Sequence, residues 1–350
     1  MTSPHKTVLF GEDGVIDCTP TYLFDHAELY REDPLDAGVT WFAEAHYGLG
    51  VTFGLHSLMG QGTDALANGK VTLESYRKLK DGFNAKAFNA VDLVEYVIAN
   101  GMRYIEMNVR GDDGFCLFNT KTTDFNSATS PAHRDLLAEL ASVCEYHGVG
   151  LCLEYSLGRH LMHPHAPGSL TPVEKASPAE YFDFTAQQIH ELMTQYGPVA
   201  GICLDGVEHV RGLGQDDFDP SAFYRMIHSL QPQTLLSFQN GLTGEEDFFR
   251  FNDDMPEKGT PDAGFAHRQM NKPVQVRLPM TPGNLGYAPE HSGKHLKQEH
   301  VWKALENAAE KQHNLLLNTA LLPDGSLDLE DLDTLVAVGE RLEKQGFPRG

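Results

Sequence analysis

The chain has 350 residues, 41% of them hydrophobic, enough to bury one large core, and its 33 glycines fit an ordinary globular protein rather than a fibre or a disordered chain. A net charge of −22 repels nucleic acid and anionic lipid over most of the surface and disfavours heavily sulfated glycans, leaving neutral small molecules or neutral glycans as the expected partners. The five cysteines (Cys18, Cys116, Cys144, Cys152, Cys203) form neither a CxxC nor a His-spaced zinc pattern, which predicts structural thiols, and the absence of a long apolar run predicts a cytoplasmic protein without a membrane span.

In chain order, strands are predicted at Gly48–Phe53, Tyr104–Val109, Gly150–Ser156, Gly201–Asp205, Thr234–Phe238, Val274–Leu278 and Asn314–Leu317. Helices are predicted between and after them at Ala90–Asn100, Ala132–His147, Pro178–Tyr196, Pro220–Leu230, Lys297–Lys311 and Leu329–Gln345, several ending at a glycine that suits a left-handed cap. Strand and helix in alternation point to an α/β protein with parallel strands. The long irregular stretch Gly241–Lys272 reads as a functional loop. No linker divides the chain, so residues 1–33 are read as an N-terminal extension and residues 34–350 as one unit.

In such a unit the strand C-termini and the loops after them hold the chemistry. Alternation puts Gly201, Cys203 and Asp205 on one face, so Asp205 ends its strand where a carboxylate can attack an anomeric carbon. The same position equally suits a helix cap. A glycosidase needs a second carboxyl, and Glu245, Glu246, Asp247, Asp253, Asp254, Glu257 and Glu290 all offer one. Glu106 with Asn108, and Cys152 with Glu154 and Ser156, also share strand faces. A carboxylate there is either paired with a buried cation, Arg103, Arg110 or Arg159 being the nearest in sequence, or it lines a pocket. The loop Arg159–His165 carries His160, His163 and His165, which read as a metal set or as pocket-lining and exposed imidazoles. Gly212–Gly214 is too short for a dinucleotide fingerprint, so no cofactor is expected.

These segments together resemble the α-L-fucosidases of glycoside hydrolase family 29. WFAEAHYGLGVTFGLHSLMG from Trp41 is similar to the family's WFxxAKFGIFIHWGxYSVPG, and RYIEMNVRGDDGFCLFNTKTTDFN from Arg103 to KYxVLTxKHHDGFxLWxSKxTDYN. GVGLCLEYS is similar to GLKxGLYYS, YGPVAGICLDG to the nucleophile strand, and NLLLNTALLPDGSL from Asn314 to NLLLNIGPxxDG. The resemblance implies a (β/α)8 TIM-type barrel without the family's C-terminal β-sandwich, whose uncovered surface a second subunit of a homo-oligomer would shield. It implies Asp205 as nucleophile of a retaining double displacement on an α-linked fucoside, Tyr155 as a pocket tyrosine, and Asp113 in a loop-shaping motif.

Where the family has sugar-contacting His and Trp, this chain has Thr52, Phe53, Gly111, Asp112 and Cys203. The acid/base stretch reads Glu246–Asp253, and the later Trp-Glu motif reads Val274–Arg277. The resulting expectation is a rebuilt sugar pocket of Thr52, Phe53, His56, Glu106, Asp112, Asp113, Glu154, Tyr155, Arg159, His160 and Cys203, with the acid drawn from Asp253, Glu246 or Glu257 and Glu154 as outsider. The alternatives are a glycosidase for another sugar and a sugar-binding barrel without turnover.

Overall fold

Apolar strand runs separated by capped amphipathic helices fold as that alternation requires, in a computed structural model that describes residues 9–10, 16–252, 271–281, 283 and 285–348. Eight parallel strands build one sheet: β1 Tyr47–Thr52, β2 Tyr104–Arg110, β3 Gly150–Ser156, β4 Gly201–Asp205, β5 Leu235–Phe238, β6 Phe249–Asn252, β7 Val274–Pro279 and β8 Asn314–Ala320. Their order is β5-β4-β3-β2-β1-β8-β7-β6. Between the two edges, Asp247 N–H donates to Leu236 C=O at 2.7 Å and Arg250 N–H to Gln239 C=O at 2.9 Å. The sheet thus closes into a (β/α)8 barrel, as expected.

The longer helices among the described residues are α1 Pro34–Ala45, α2 Ala90–Ala99, α3 Leu136–His147, α4 Pro178–Gln195, α5 Pro220–Leu230, α6 Gln298–Lys311 and α7 Leu329–Gln345. Their starts are set by side chains that accept orphan N–H groups: Asp33 for α1, Asn89 for α2, Asp135 for α3, Asp219 for α5 and Asp328 for α7. Strand β6 was not predicted, and β5 reaches it through a connection without a helix of its own. Seven strands were read correctly to within a few residues.

At the N-terminal end of the barrel, α1 inserts Trp41 and Phe42 against Tyr104, Cys152, Leu235 and Leu316. This plug dictates the glycine at position 48, because a Cβ there would lie 2.4 Å from the Tyr104 ring. Tyr22 and Leu23, within the stretch read as an extension, are buried in the same cluster, with the Tyr22 and Trp41 rings 4.6 Å apart. Cys116, Cys144, Cys152 and Cys203 are buried free thiols and Cys18 is exposed. No described helix is long and apolar enough to cross a membrane.

Candidate active site

The register of the strands stacks inward-facing residues in layers: Glu106 beside Cys152, Asn108 beside Glu154, Glu154 beside Cys203, and Ser156 beside Asp205. Above these layers, at the C-terminal ends of the strands, lies a cavity of about 340 Å³. Asp205, Glu154, Asn108, Asp112, Arg277 and Asn252 line it, and Thr52, His56, Asp64 and Asp113 complete the polar wall.

Below the cavity sits a buried ion network that the sequence did not disclose. Arg250, from β6, pairs with Glu106 and with Glu154, the latter at 3.0 Å. Arg277, from β7, pairs with Glu154 and donates to Asn252 Oδ1 at 3.0 Å. Asn108 donates to the second Glu154 oxygen at 3.2 Å, and Arg250 Nε donates to Gln275 at 2.8 Å. Burial pushes the Glu154 carboxyl up, but the guanidiniums of Arg277 and Arg250 outweigh it and hold the group below its ordinary range. Glu106, with one guanidinium close by and Glu154 as a like-charged neighbour, is raised by its burial.

This arrangement corrects the expected partners. Arg110 turns outward after an irregularity in β2 and is bound by the Tyr155 hydroxyl at 2.6 Å and the Tyr181 hydroxyl at 2.9 Å. Arg159 instead holds Asp112 at 3.1 Å, a carboxylate that also accepts from the Ser156 hydroxyl.

Asp205 ends β4 half-buried, its carboxylate accepting from the Gln239 amide. Gly206 follows with φ of 85°, a left-handed residue that turns the chain sharply into a short helical turn and leaves the Asp205 side chain facing the cavity. Burial first, then the negative charges of Glu154 and Asp112, push the Asp205 carboxyl up to about 7, against the opposing pull of Arg277. Asp113 is also raised by burial, while the Tyr76 hydroxyl at 2.6 Å and the Phe115 N–H at 3.0 Å occupy its two oxygens. His56 is pushed down to about 4 by burial, so it faces the pocket as a neutral imidazole.

Of the predicted residues, Asp205, Thr52, His56, Asp112, Asp113 and Glu154 therefore meet at one cavity. Glu106 and Cys203 lie deeper in the barrel, where Glu106 pairs with Arg250. Phe53 points to the helix side and stacks with Phe83 and Phe88. Tyr155 likewise lies outside the barrel wall, its hydroxyl donating to Gln188 at 2.6 Å, so the residue matched to a pocket tyrosine does not line the pocket. Glu246 is fully buried in the loop after β5, where its carboxylate accepts from Leu242, Thr243 and Gly244 N–H groups and from the Tyr224 hydroxyl. It shapes that loop and is absent from the cavity wall. Asp253 and Glu257 lie outside the described residues.

The three loop histidines do not form a metal set. His160 Nδ1 accepts from Met162 N–H at 3.2 Å and His165 Nδ1 from Ser177 N–H at 3.0 Å, while the His163 ring packs 4.9 Å from Phe184. His160 packs behind Gly114, where φ is 77° and a Cβ would lie 2.0 Å from the imidazole. Arg250, Arg277, Asn252 and Asp64 were the omissions. Arg277 carried a sequence signal through its place in the altered Trp-Glu motif, and Arg250 and Asn252 through theirs in the altered acid/base stretch, whereas Asp64 carried none.

A (β/α)8 barrel with carboxylates gathered at its strand C-termini has the architecture of a glycoside hydrolase. The chain belongs to the α-L-fucosidase family, whose model, "Alpha-L-fucosidase", matches residues 30–347. A curated relative, alpha-L-fucosidase 1 of Arabidopsis thaliana, is 30% identical over 159 residues, which is 44% of this chain and 29% of that protein. The chain thus spans less than a third of that relative's length. Among solved structures, alpha-L-fucosidase isoenzyme 1 from Paenibacillus thiaminolyticus superposes with a TM-score of 0.79 at 23% identity, covering 89% of this chain and 77% of that one. Alpha-L-fucosidase AlfC from Lactobacillus casei, solved with its α-L-fucose product, gives 0.74 at 23% identity over 88% of this chain and 98% of AlfC. Both likenesses are likenesses of fold.

Proposed function

We propose that the chain is a retaining glycoside hydrolase for an α-linked fucoside or a closely related neutral sugar, with Asp205 as nucleophile. The observation that carries this reading is the Asp205 carboxylate at the end of β4, facing a cavity of about 340 Å³, the size range of small-ligand sites. In the first step an Asp205 oxygen bonds to the anomeric carbon as the bond to the leaving oxygen breaks, and an acid supplies that oxygen with a proton. In the second step the same acid, now a base, takes a proton from water, whose oxygen displaces Asp205 and restores the starting configuration.

We assign the acid to the residues that follow β6 in the sequence. Asn252 lines the cavity, Asp253 follows it directly in the chain, and Glu257 lies close behind. Glu154 does not suit the role, because two guanidiniums keep it ionised.

Replacing Asp205 with Gly should abolish hydrolysis of an aryl α-L-fucoside, and added azide should restore release of the aryl group by forming a glycosyl azide of inverted configuration. A variant that keeps parental turnover would sink the assignment. Asp253→Ala or Glu257→Ala should lose most activity on poor leaving groups and least on activated aryl ones, identifying the acid. One observation favours binding without turnover as a second reading: Glu154 and Asp112 are committed to ion pairs and Asp113 to two hydrogen bonds. Glycan binding by calorimetry, with no cleavage over a panel of aryl glycosides, would select it.

A further inference from the structure

A second cluster of ionisable groups stands apart from the cavity, where the segment leading into α6 meets the first turn of α7. His295 hydrogen-bonds through Nδ1 to Asp331 Oδ1 at 2.5 Å, and the other Asp331 oxygen accepts from the Thr319 hydroxyl of β8 at 2.6 Å. Asp331 is 1% exposed and cannot move without breaking both bonds. The imidazole is therefore fixed in orientation, with Nδ1 turned inward and Nε2 turned toward Asp328 and Glu330. One oxygen of Asp328 caps α7 by accepting from Glu330 N–H at 2.8 Å, and the other faces His295 Nε2 at 4.0 Å. Glu330 is anchored by Gly293 N–H at 2.6 Å and by Lys297 Nζ at 3.1 Å.

Three features distinguish this group from a solvated acidic patch. The His295 side chain is 8% exposed, and its Nε2 stands 4.0 Å from Asp328, beyond hydrogen-bonding reach. A tetrahedral zinc holds its ligand atoms about 3.3–3.5 Å apart, so Asp328 would close on Nε2 by about half an ångström on binding. One donor atom from each of His295, Asp328 and Glu330 lies within 4.8 Å of the others. A histidine whose far nitrogen is held by a buried carboxylate is also how metal-ligating imidazoles are oriented.

We propose that His295 Nε2, Asp328 and Glu330 form a binding site for a divalent transition cation, zinc being the best match for one imidazole and two carboxylates with water in the fourth position. The site is structural. The segment after β7 supplies Gly283 and Leu285 to the cavity wall, ties to the β1 side through Gly62 N–H donating to Tyr287 C=O at 3.1 Å, and returns to the barrel at Gly293–Lys297. A cation joining His295 to the start of α7 fixes that return limb and, through it, one wall of the pocket.

The full chain, dialysed against chelator, should bind one equivalent of zinc by calorimetry and metal analysis, and should melt a few degrees higher with zinc in excess. His295→Ala and Asp328→Asn should each remove binding and the thermal shift. Asp328→Asn keeps a good helix cap, so its loss of zinc cannot be ascribed to loss of fold. Cys18→Ser and Asp205→Asn should bind as the parent does. No zinc uptake at neutral pH, meaning that the cage holds a proton and nothing more, would overturn the proposal. So would uptake that survives in both His295→Ala and Asp328→Asn.

Discussion

Removal of Arg250 gives the most direct test of how the barrel interior is held together. Arg250 and Glu106 are each 3% exposed, and Arg250 is the guanidinium that also reaches Glu154. Arg250→Met fills most of the volume but strands Glu106, while Glu154 keeps Arg277. Breaking a buried pair from one side costs about 3–5 kcal/mol. Over 350 residues the unfolding entropy near the melting point is about 0.7 kcal/mol/K, so the variant should melt about 4–7 °C lower. The stranded Glu106 escapes part of this cost by taking a proton, since burial already raises its pKa. A carboxyl raised in the fold binds more protons folded than unfolded, so its contribution is favourable at low pH and is lost as pH rises past its unfolded value. The defect in Arg250→Met should therefore be smaller near pH 5 than near pH 8. Glu106→Leu added to Arg250→Met removes the stranded charge and should recover more than half of the loss. Urea unfolding at both pH values measures all three proteins. A single-variant loss below about 1 kcal/mol, or a loss equal at pH 5 and pH 8, would refute the reasoning.

In the proposed mechanism Asp205 must be ionised to attack, and its pKa is pushed up to about 7, so kcat/KM of the parent should fall about tenfold per unit below that pH; a flat profile down to pH 5 contradicts the role or the environment. The same raised value means that the parent loses stability as pH climbs from the unfolded value through 7. Asp205→Asn should thus gain stability relative to the parent at pH 8.5 and not at pH 4, a difference read by thermal melts. Gly114→Ala places a Cβ 2.0 Å from the His160 ring at a φ of 77° and should cost at least about 1–2 kcal/mol, seen as a lower urea midpoint. Glu246→Ala orphans buried N–H donors in the loop after β5 and should cost about 3 kcal/mol while leaving kcat of the folded enzyme within a few fold; a loss of about a hundredfold in kcat would restore it as the acid.

Most of the strands read from sequence are apolar runs in which few polar residues interrupt the outward face. In β4, Ile202 and Leu204 mark the helix side, and the inward direction of Asp205 follows by alternation. Strand β6 was missed because it has four residues, two of them Arg250 and Asn252, and polar residues in so short a run look like loop. The ion network hid for a related reason. Glu106 and Glu154 announced that they needed cations, but Arg250 stands 144 residues from Glu106, and local spacing favours near neighbours such as Arg110. Arg110 was diverted by the irregularity after Asn108, which turns it to the outer side of the wall.

The charges around the cavity bear on which sugars it accepts. Asp64, Asp112, Asp113, Glu154 and Asp205 line it against Arg277, and Arg277 is already paired with Glu154. A carboxylate or sulfate on the substrate would add another negative charge beside Asp205, raise its pKa above about 7, and protonate the group proposed to attack. A neutral sugar does the reverse. It adds no such charge, and a hydroxyl that donates to Asp112 would draw negative charge off the wall and favour the ionised form of Asp205. A pocket that holds a hydroxyl-rich sugar by accepting hydrogen bonds is therefore compatible with the proposed role of Asp205, and substrate binding itself would help to ionise that carboxyl.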